Sequence, residues 1–209
     1  MDGVLCDSEP FICEAACRMF AESHGVTVSP EDFEPFVGAG EDRYLGGVAQ
    51  QHHVTLHMPA DKQRTYAIYL DIIRGRLDPL PGVVQFISDC RARGLKLAVA
   101  TSADRVKMRG NLEQIGVAPE AFDACVTGSD VTHKKPHPEI FLAAAEQLGL
   151  AGDACLVVED APNGIRAAKA AAACCLGLTT SFAAGLLRSA GADWVAHDLS
   201  QPPAAIWTL

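Results

Sequence analysis

The chain has 209 residues and 22.1 kDa, of which 49% are hydrophobic, 21% charged and 6% aromatic. That is enough for one sizeable core with a small insert, and it excludes a disordered chain. The formal charge of −9 argues against nucleic acid as a partner. No apolar run is long enough for a membrane span, and the start carries no secretory signal. Eight cysteines come without a CxxC pair or an accompanying His-x3–5-His spacing, so buried free thiols in a reducing compartment are expected rather than disulfides or structural zinc.

In chain order, apolar residues recur at helical spacing from Pro10 to Phe20 and from Asp61 to Ile73. The stretch between them reads as turns, at Ser29-Pro30, at Phe36-Val37-Gly38-Ala39-Gly40 and at Gly46-Gly47. The cluster Asp78-Pro79-Leu80-Pro81-Gly82 is the best boundary signal in the chain. It divides a helical insert, residues 9–78, from an α/β core made of residues 1–8 and 79–209. Beyond it strands alternate with helices. Helices are expected at Val83–Arg93, Arg105–Ile115, Pro138–Leu148, Asn163–Ala171 and Ala183–Ser189. Strands are expected at Leu95–Ala100, Ala124–Thr127, Cys155–Val158, Cys174–Leu178 and Trp194–Ala196. Such alternation predicts a Rossmann-like, doubly wound parallel sheet covered on both faces.

Ligands of an open parallel sheet bind beyond the carboxyl ends of its strands. Thr101-Ser102, Lys134-Lys135-Pro136 and Glu159-Asp160 all fall at such ends. Taken singly, Thr101 and Ser102 can cap a helix, and Lys135 can be a solvated loop lysine. Adjacent carboxylates at a strand end are costly without a cation, which favours a metal at Glu159-Asp160. Together the three groups suit a phosphate and a divalent ion.

Met1-Asp2-Gly3-Val4-Leu5-Cys6-Asp7-Ser8 resembles the first motif of the haloacid dehalogenase superfamily. Thr101 matches the second motif, Lys135 in Lys-Lys-Pro-His-Pro-Glu the third, and Glu159-Asp160 in Val-Val-Glu-Asp-Ala-Pro-Asn-Gly-Ile the fourth. The helical insert is placed like the small cap of the phosphoglycolate phosphatase and β-phosphoglucomutase branch. Within that branch, Glu34–Glu41 and Leu45–Ala49 look most like the hydrolase domain of plant chloroplast suppressor-of-quenching proteins. That likeness implies the chloroplast stroma, or else the cytoplasm, and fusion to further domains.

The resemblance implies Mg²⁺-dependent hydrolysis of a small phosphorylated substrate through an aspartyl-phosphate. Asp2 would be the general acid and base, and Thr101, Ser102 and Lys135 would bind the phosphoryl group. Asp2, Glu159 and Asp160 would hold the metal, while Gly38, Glu41 and Arg43 of the cap would contact substrate. The family's nucleophile falls immediately before Met1, so these residues lack it and the apolar strand that leads into it. A fragment, a misassigned start or an excised domain is therefore expected, with impaired activity. A sugar phosphomutase is the near alternative. Ile12 stands where the mutases carry a histidine, and Glu41 where they carry a phosphate-binding arginine; both departures weigh toward a phosphatase. A non-catalytic anion- and metal-binding domain is the alternative of another class.

Overall fold

The structure, a computed structural model, describes residues 1–38 and 40–208. Ala39, in the expected turn Phe36–Gly40, lies outside the described residues. Helix α1 (Glu9–His24) buries Ile12, Ala15, Ala16, Met19 and Phe20 on one face. It stops at Gly25, whose left-handed φ of 66° lets its N–H close on the Ala21 carbonyl. Helix α2 (Glu41–Gln51) contains the Gly46-Gly47 pair that the sequence reading assigned to turns. The reason is packing: a Cβ on Gly47 would fall 2.4 Å from the Phe36 ring, so the missing side chain is where that ring sits. Helix α3 (Ala60–Ile73) lies along α1 and buries Tyr66, Ile68, Tyr69, Ile72 and Ile73. These apolar stripes face each other and leave the first 80 residues almost free of strand.

After Gly82 the chain continues as α4 (Val83–Ala92), β1 (Ala98–Ala100), α5 (Arg105–Gln114), β2 (Ala124–Val126), α6 (Glu139–Leu148), β3 (Leu156–Glu159), α7 (Pro162–Ala170), β4 (Cys174–Leu178), α8 (Ala184–Ser189) and β5 (Trp194–Ala196). Every strand pairing is parallel, as expected of a Rossmann-like α/β fold. Strand β1 is shorter than the run Leu95–Ala100 suggests. The Leu97 N–H is taken by the Asp123 carboxylate at 2.8 Å, ahead of the regular ladder.

The strands form two sheets, β1-β2 and β3-β4-β5. Between them runs a cavity of about 660 Å³, lined on one side by Leu97 and Val99 and on the other by Leu156 and Val158, with Phe141 and Trp207 also on its walls. Strands β1 and β3 thus each leave one edge unpaired toward an apolar slot, and Met1 stands on its lining. The opening segment is folded back on itself: the Gly3 N–H reaches the Cys6 carbonyl at 2.9 Å, and the Leu80 N–H the Leu5 carbonyl at 2.9 Å.

The last of these contacts puts the two crossings between the helical part and the α/β part side by side. Gly82 follows with a φ of 81°, and a Cβ there would lie 2.1 Å from the Ser200 nitrogen and 2.2 Å from the Leu199 carbonyl carbon. Backbone cannot yield as a side-chain tip can. Gly82→Ala should lower stability by about 2 kcal/mol, read as an earlier midpoint in urea, whereas Gly94→Ala, with open space around it, should cost less.

Candidate active site

The carboxyl ends of β1 and β3 carry the phosphate- and metal-type residues. Thr101 follows β1 and is buried, with its Oγ1 accepting the Ala103 N–H at 3.2 Å. The Ser102 carbonyl meets the next loop so closely that a Cβ on Gly128 would fall 2.1 Å from it. Lys134 donates to the Gly128 carbonyl, which directs its neighbour Lys135 the other way. There the Lys135 ammonium pairs with Glu159 at the end of β3. Glu159 also accepts the Asp160 N–H at 3.2 Å and the Ala161 N–H at 3.3 Å. Gly164 makes room for it, since a Cβ at that position would lie 2.1 Å from the Glu159 carboxyl carbon. Burial would raise the Glu159 pKa, but Lys135 and the Ala161 N–H hold it below its ordinary value.

Asp160 is the opposite case. Burial and the neighbouring Glu159 charge push its pKa up to about 6, only partly relieved by the Ser181 hydroxyl and Lys135. Its carboxylate lies against Gly3, where a Cβ would come within 2.1 Å of Oδ2, and Gly3 has a φ of 64°. Only glycine allows that approach.

Asp2 lies beside this pair and faces the helical part. Its Oδ1 accepts the Ser8 hydroxyl, lies 3.4 Å from Asn111 Nδ2 and 3.4 Å from Lys107 Nζ. Burial opposes ionisation of Asp2, yet Lys107 and Ser8 outweigh it and leave its pKa lowered. Lys107 is 4% exposed and also lies 3.7 Å from Glu41 Oε1, at the first turn of α2, with the Tyr69 ring beneath it at 5.8 Å. Burial works against its charge, but Asp2 and Glu41 raise its pKa on balance.

Around this ammonium, four buried side-chain atoms make no hydrogen bond among the described residues: Glu9 Oε1, Glu41 Oε2, Tyr44 Oη and Tyr66 Oη. Burial raises the pKa values of Glu9 and Glu41 above the ordinary carboxylate range.

Of the residues expected from sequence, Asp2, Thr101, Ser102, Lys135, Glu159 and Asp160 gather on one edge, and Glu41 reaches it through Lys107. Two do not gather. Gly38 is exposed with nothing near it, and Arg43 is exposed with its guanidinium 5.2 Å over the Phe36 ring. Stacking on Phe36 engages the arginine at an exposed position. Glu159 is committed to Lys135, which leaves Asp160 as the carboxylate without an ion-pair partner among the described residues.

Lys107, Asn111, Tyr66 and Tyr69 are the residues that sequence reasoning missed. Asp104, Lys107 and Asn111 recur at helical spacing along one face of α5, a polar stripe on a helix that packs inward. That stripe was the available signal.

A family model described as haloacid dehalogenase-like hydrolase matches residues 1–172. The chain belongs to that family. It is 42% identical over 202 residues to the Arabidopsis thaliana protein Suppressor of Quenching 1, chloroplastic, covering 95% of this chain but 19% of that protein. It is 30% identical to hexitol phosphatase A of Escherichia coli, covering 96% and 89% of the two chains. Among solved structures, CbbY from Rhodobacter sphaeroides in complex with phosphate superposes with a TM-score of 0.83 over 96% of this chain and 92% of that one, at 24% identity. That likeness shows the fold.

Removing one member of a buried charge group leaves the others uncompensated. Lys107→Met should therefore destabilise the chain by about 3 kcal/mol in chemical unfolding. Adding Glu41→Gln should recover part of that loss, so that the double variant costs less than the sum of the singles by roughly 1 kcal/mol. Strict additivity would mean that the two groups do not interact.

Proposed function

We propose that this chain is the body of a Mg²⁺-dependent phosphatase for a small, hydroxyl-bearing phosphate monoester, with its nucleophilic carboxylate on the residue immediately upstream of Met1. One observation carries the reading. The Met1 nitrogen lies close to the Asp2, Glu159 and Asp160 carboxyls, and Met1 stands on the lining of the slot between β1 and β3. A strand filling that slot parallel to its neighbours would deliver its last residue to the phosphate edge.

Asp160 offers a buried oxygen donor that Glu159 keeps costly to ionise, which suits a hard cation. Asp160, the Asp2 backbone carbonyl and the upstream carboxylate would hold Mg²⁺, with Glu159 reaching it through water. Once bound, the ion would neutralise charge on the phosphoryl oxygens. Thr101, Ser102 and Lys135 would bind those oxygens, with Lys135 held in place by Glu159. Attack by the upstream carboxylate would give an aspartyl-phosphate, which water then hydrolyses. Asp2 would protonate the departing alcohol oxygen and later take a proton from the attacking water. Lys107 and Ser8 would keep its carboxyl oriented for both tasks.

Helices α1 to α3 would act as the cap that closes over the substrate and excludes water. Glu9 and Glu41 would accept hydrogen bonds from the alcohol part, and their charge would repel a second phosphate or a carboxylate. The buried, non-titrating Ile12 and the acidic Glu41 both weigh against a phosphomutase. The Arabidopsis relative, whose name marks it as chloroplastic, supports a chloroplast location and a place within a longer protein.

The 209-residue chain should hydrolyse p-nitrophenyl phosphate at background rate. The chain extended upstream through a carboxylate should hydrolyse it in a Mg²⁺-dependent way, and Asp2→Ala should abolish that gain. Equal, Asp2-dependent rates in both would sink the placement of the nucleophile. If the extended chain binds Mg²⁺ and phosphate but turns over no ester, a non-catalytic binding domain is the better reading.

Charge in the cap makes a separate demand. In the extended chain a polyol monophosphate should be preferred to a sugar bisphosphate, and Glu41→Arg should move kcat/KM toward the bisphosphate. An unchanged ranking would remove Glu41 from substrate recognition.

A further inference from the structure

The loop that presents Lys135 carries a second group of ligand-type side chains on its outer face. His133 Nδ1 lies 2.7 Å from Glu139 Oε2, and His137 Nδ1 lies 3.9 Å from the same oxygen. The three ligand atoms all fall within 4.8 Å of one another. In a tetrahedral zinc site, ligand atoms about 2.0–2.1 Å from the ion stand roughly 3.3 Å apart. The pairs on either side of Glu139 are each within roughly 0.6 Å of that separation, and the two histidine nitrogens, within 4.8 Å of each other, would close by up to roughly 1.5 Å through rotation of the exposed rings. The two imidazoles already stand side by side, with ring centroids 4.5 Å apart and 34° between their planes.

We propose that His133, His137 and Glu139 form a binding site for one Zn²⁺ ion, separate from the Mg²⁺ edge. The carboxylate is held in place before any ion arrives, because it accepts the Thr132 N–H at 2.8 Å and the His133 N–H at 2.9 Å. Such outer contacts orient a ligand and cut the ordering cost of binding. His137 gives up only a long 3.3 Å hydrogen bond from the Glu139 N–H. The two lysines between the histidines do not oppose the ion: Lys134 turns to the Gly128 and Val131 carbonyls, and Lys135 to Glu159.

Two nitrogens and one oxygen select a borderline ion over Mg²⁺, which requires oxygen ligands. Three protein ligands leave a fourth position for water. Both histidines are exposed, so the ion has an open path. The cysteine pattern that argues against structural zinc does not bear on this pair, whose His-x3-His spacing stands apart from every thiol. Bound there, the ion would tie residue 133 to residue 137 across Lys134, Lys135 and Pro136, and so fix the backbone that presents Lys135.

The test is calorimetric titration of the 209-residue chain with ZnCl₂ in a non-chelating buffer. One ion per chain should bind in the micromolar range, and excess Mg²⁺ should not displace it. His133→Gln and His137→Gln, both at exposed positions, should each weaken binding by roughly tenfold or more. Because eight thiols can also take zinc, the Co²⁺-loaded chain should be examined by absorption spectroscopy. Nitrogen and oxygen ligation, without thiolate charge-transfer bands, is the expected result. No binding at millimolar zinc, unchanged affinity in the double histidine variant, or a thiolate signature would each overturn the proposal.

Discussion

An ammonium removed from water must be surrounded by anions or it will lose its proton, and Lys107 sets the layout of this protein through that requirement. It projects from α5 in the α/β part and draws in Asp2 from the opening turn and Glu41 from the first turn of α2. Three stretches distant in sequence are thereby fixed around one charge. The same contacts place the Asp2 carboxyl, order Ser8 and Asn111 around it, and hold the helical part down on the core. Lys62 repeats the arrangement further out, spanning Asp42 at 2.8 Å and Asp104 at 2.9 Å. Glu41 and Asp42 thus both bind lysines, one inside and one near the surface.

The split sheet is the other feature that organises the molecule. Parallel strands are stable when buried on both faces and paired on both edges, and here β1 and β3 each lack a partner along an apolar slot. Such edges are templates for an incoming strand. The helices cover both half-sheets, and Thr101 and Glu159 stand at the carboxyl ends of the two strands that flank the slot. Energetically the slot is a deficit in packing and hydrogen bonding that an apolar segment would remove.

Much of this was legible in the sequence because the elements obey simple periodicities. The strands after Pro81 are short apolar runs between helices, and each was found within a few residues of its observed place. Helix α2 was not legible, because Gly46-Gly47 is a turn signal unless one knows that Phe36 will pack on Gly47. The edge residues Thr101, Lys135 and Asp160 could be read from strand ends and motif order. Lys107 could not, since its meaning depends on two carboxylates that only the fold brings to it. Arg43 is the reverse case: the resemblance suggested the site, and the structure shows its guanidinium over an aromatic neighbour.

The adjacent carboxylates at the end of β3 show how one backbone position can divide two tasks. Successive residues point in different directions as the strand ends, so Glu159 turns toward Lys135 and Asp160 toward the Gly3 backbone. Glu159 is compensated within the protein by an ammonium and two N–H groups, and its charge is therefore cheap to maintain. That same charge makes ionisation of Asp160 expensive, and Lys135, already paired with Glu159, relieves it only in part. A pair built this way keeps one carboxylate for positioning the lysine and leaves the other in need of a cation. The need is created by the protein's own electrostatics, and the glycine at position 3 is what lets the opening turn lie directly against that carboxylate.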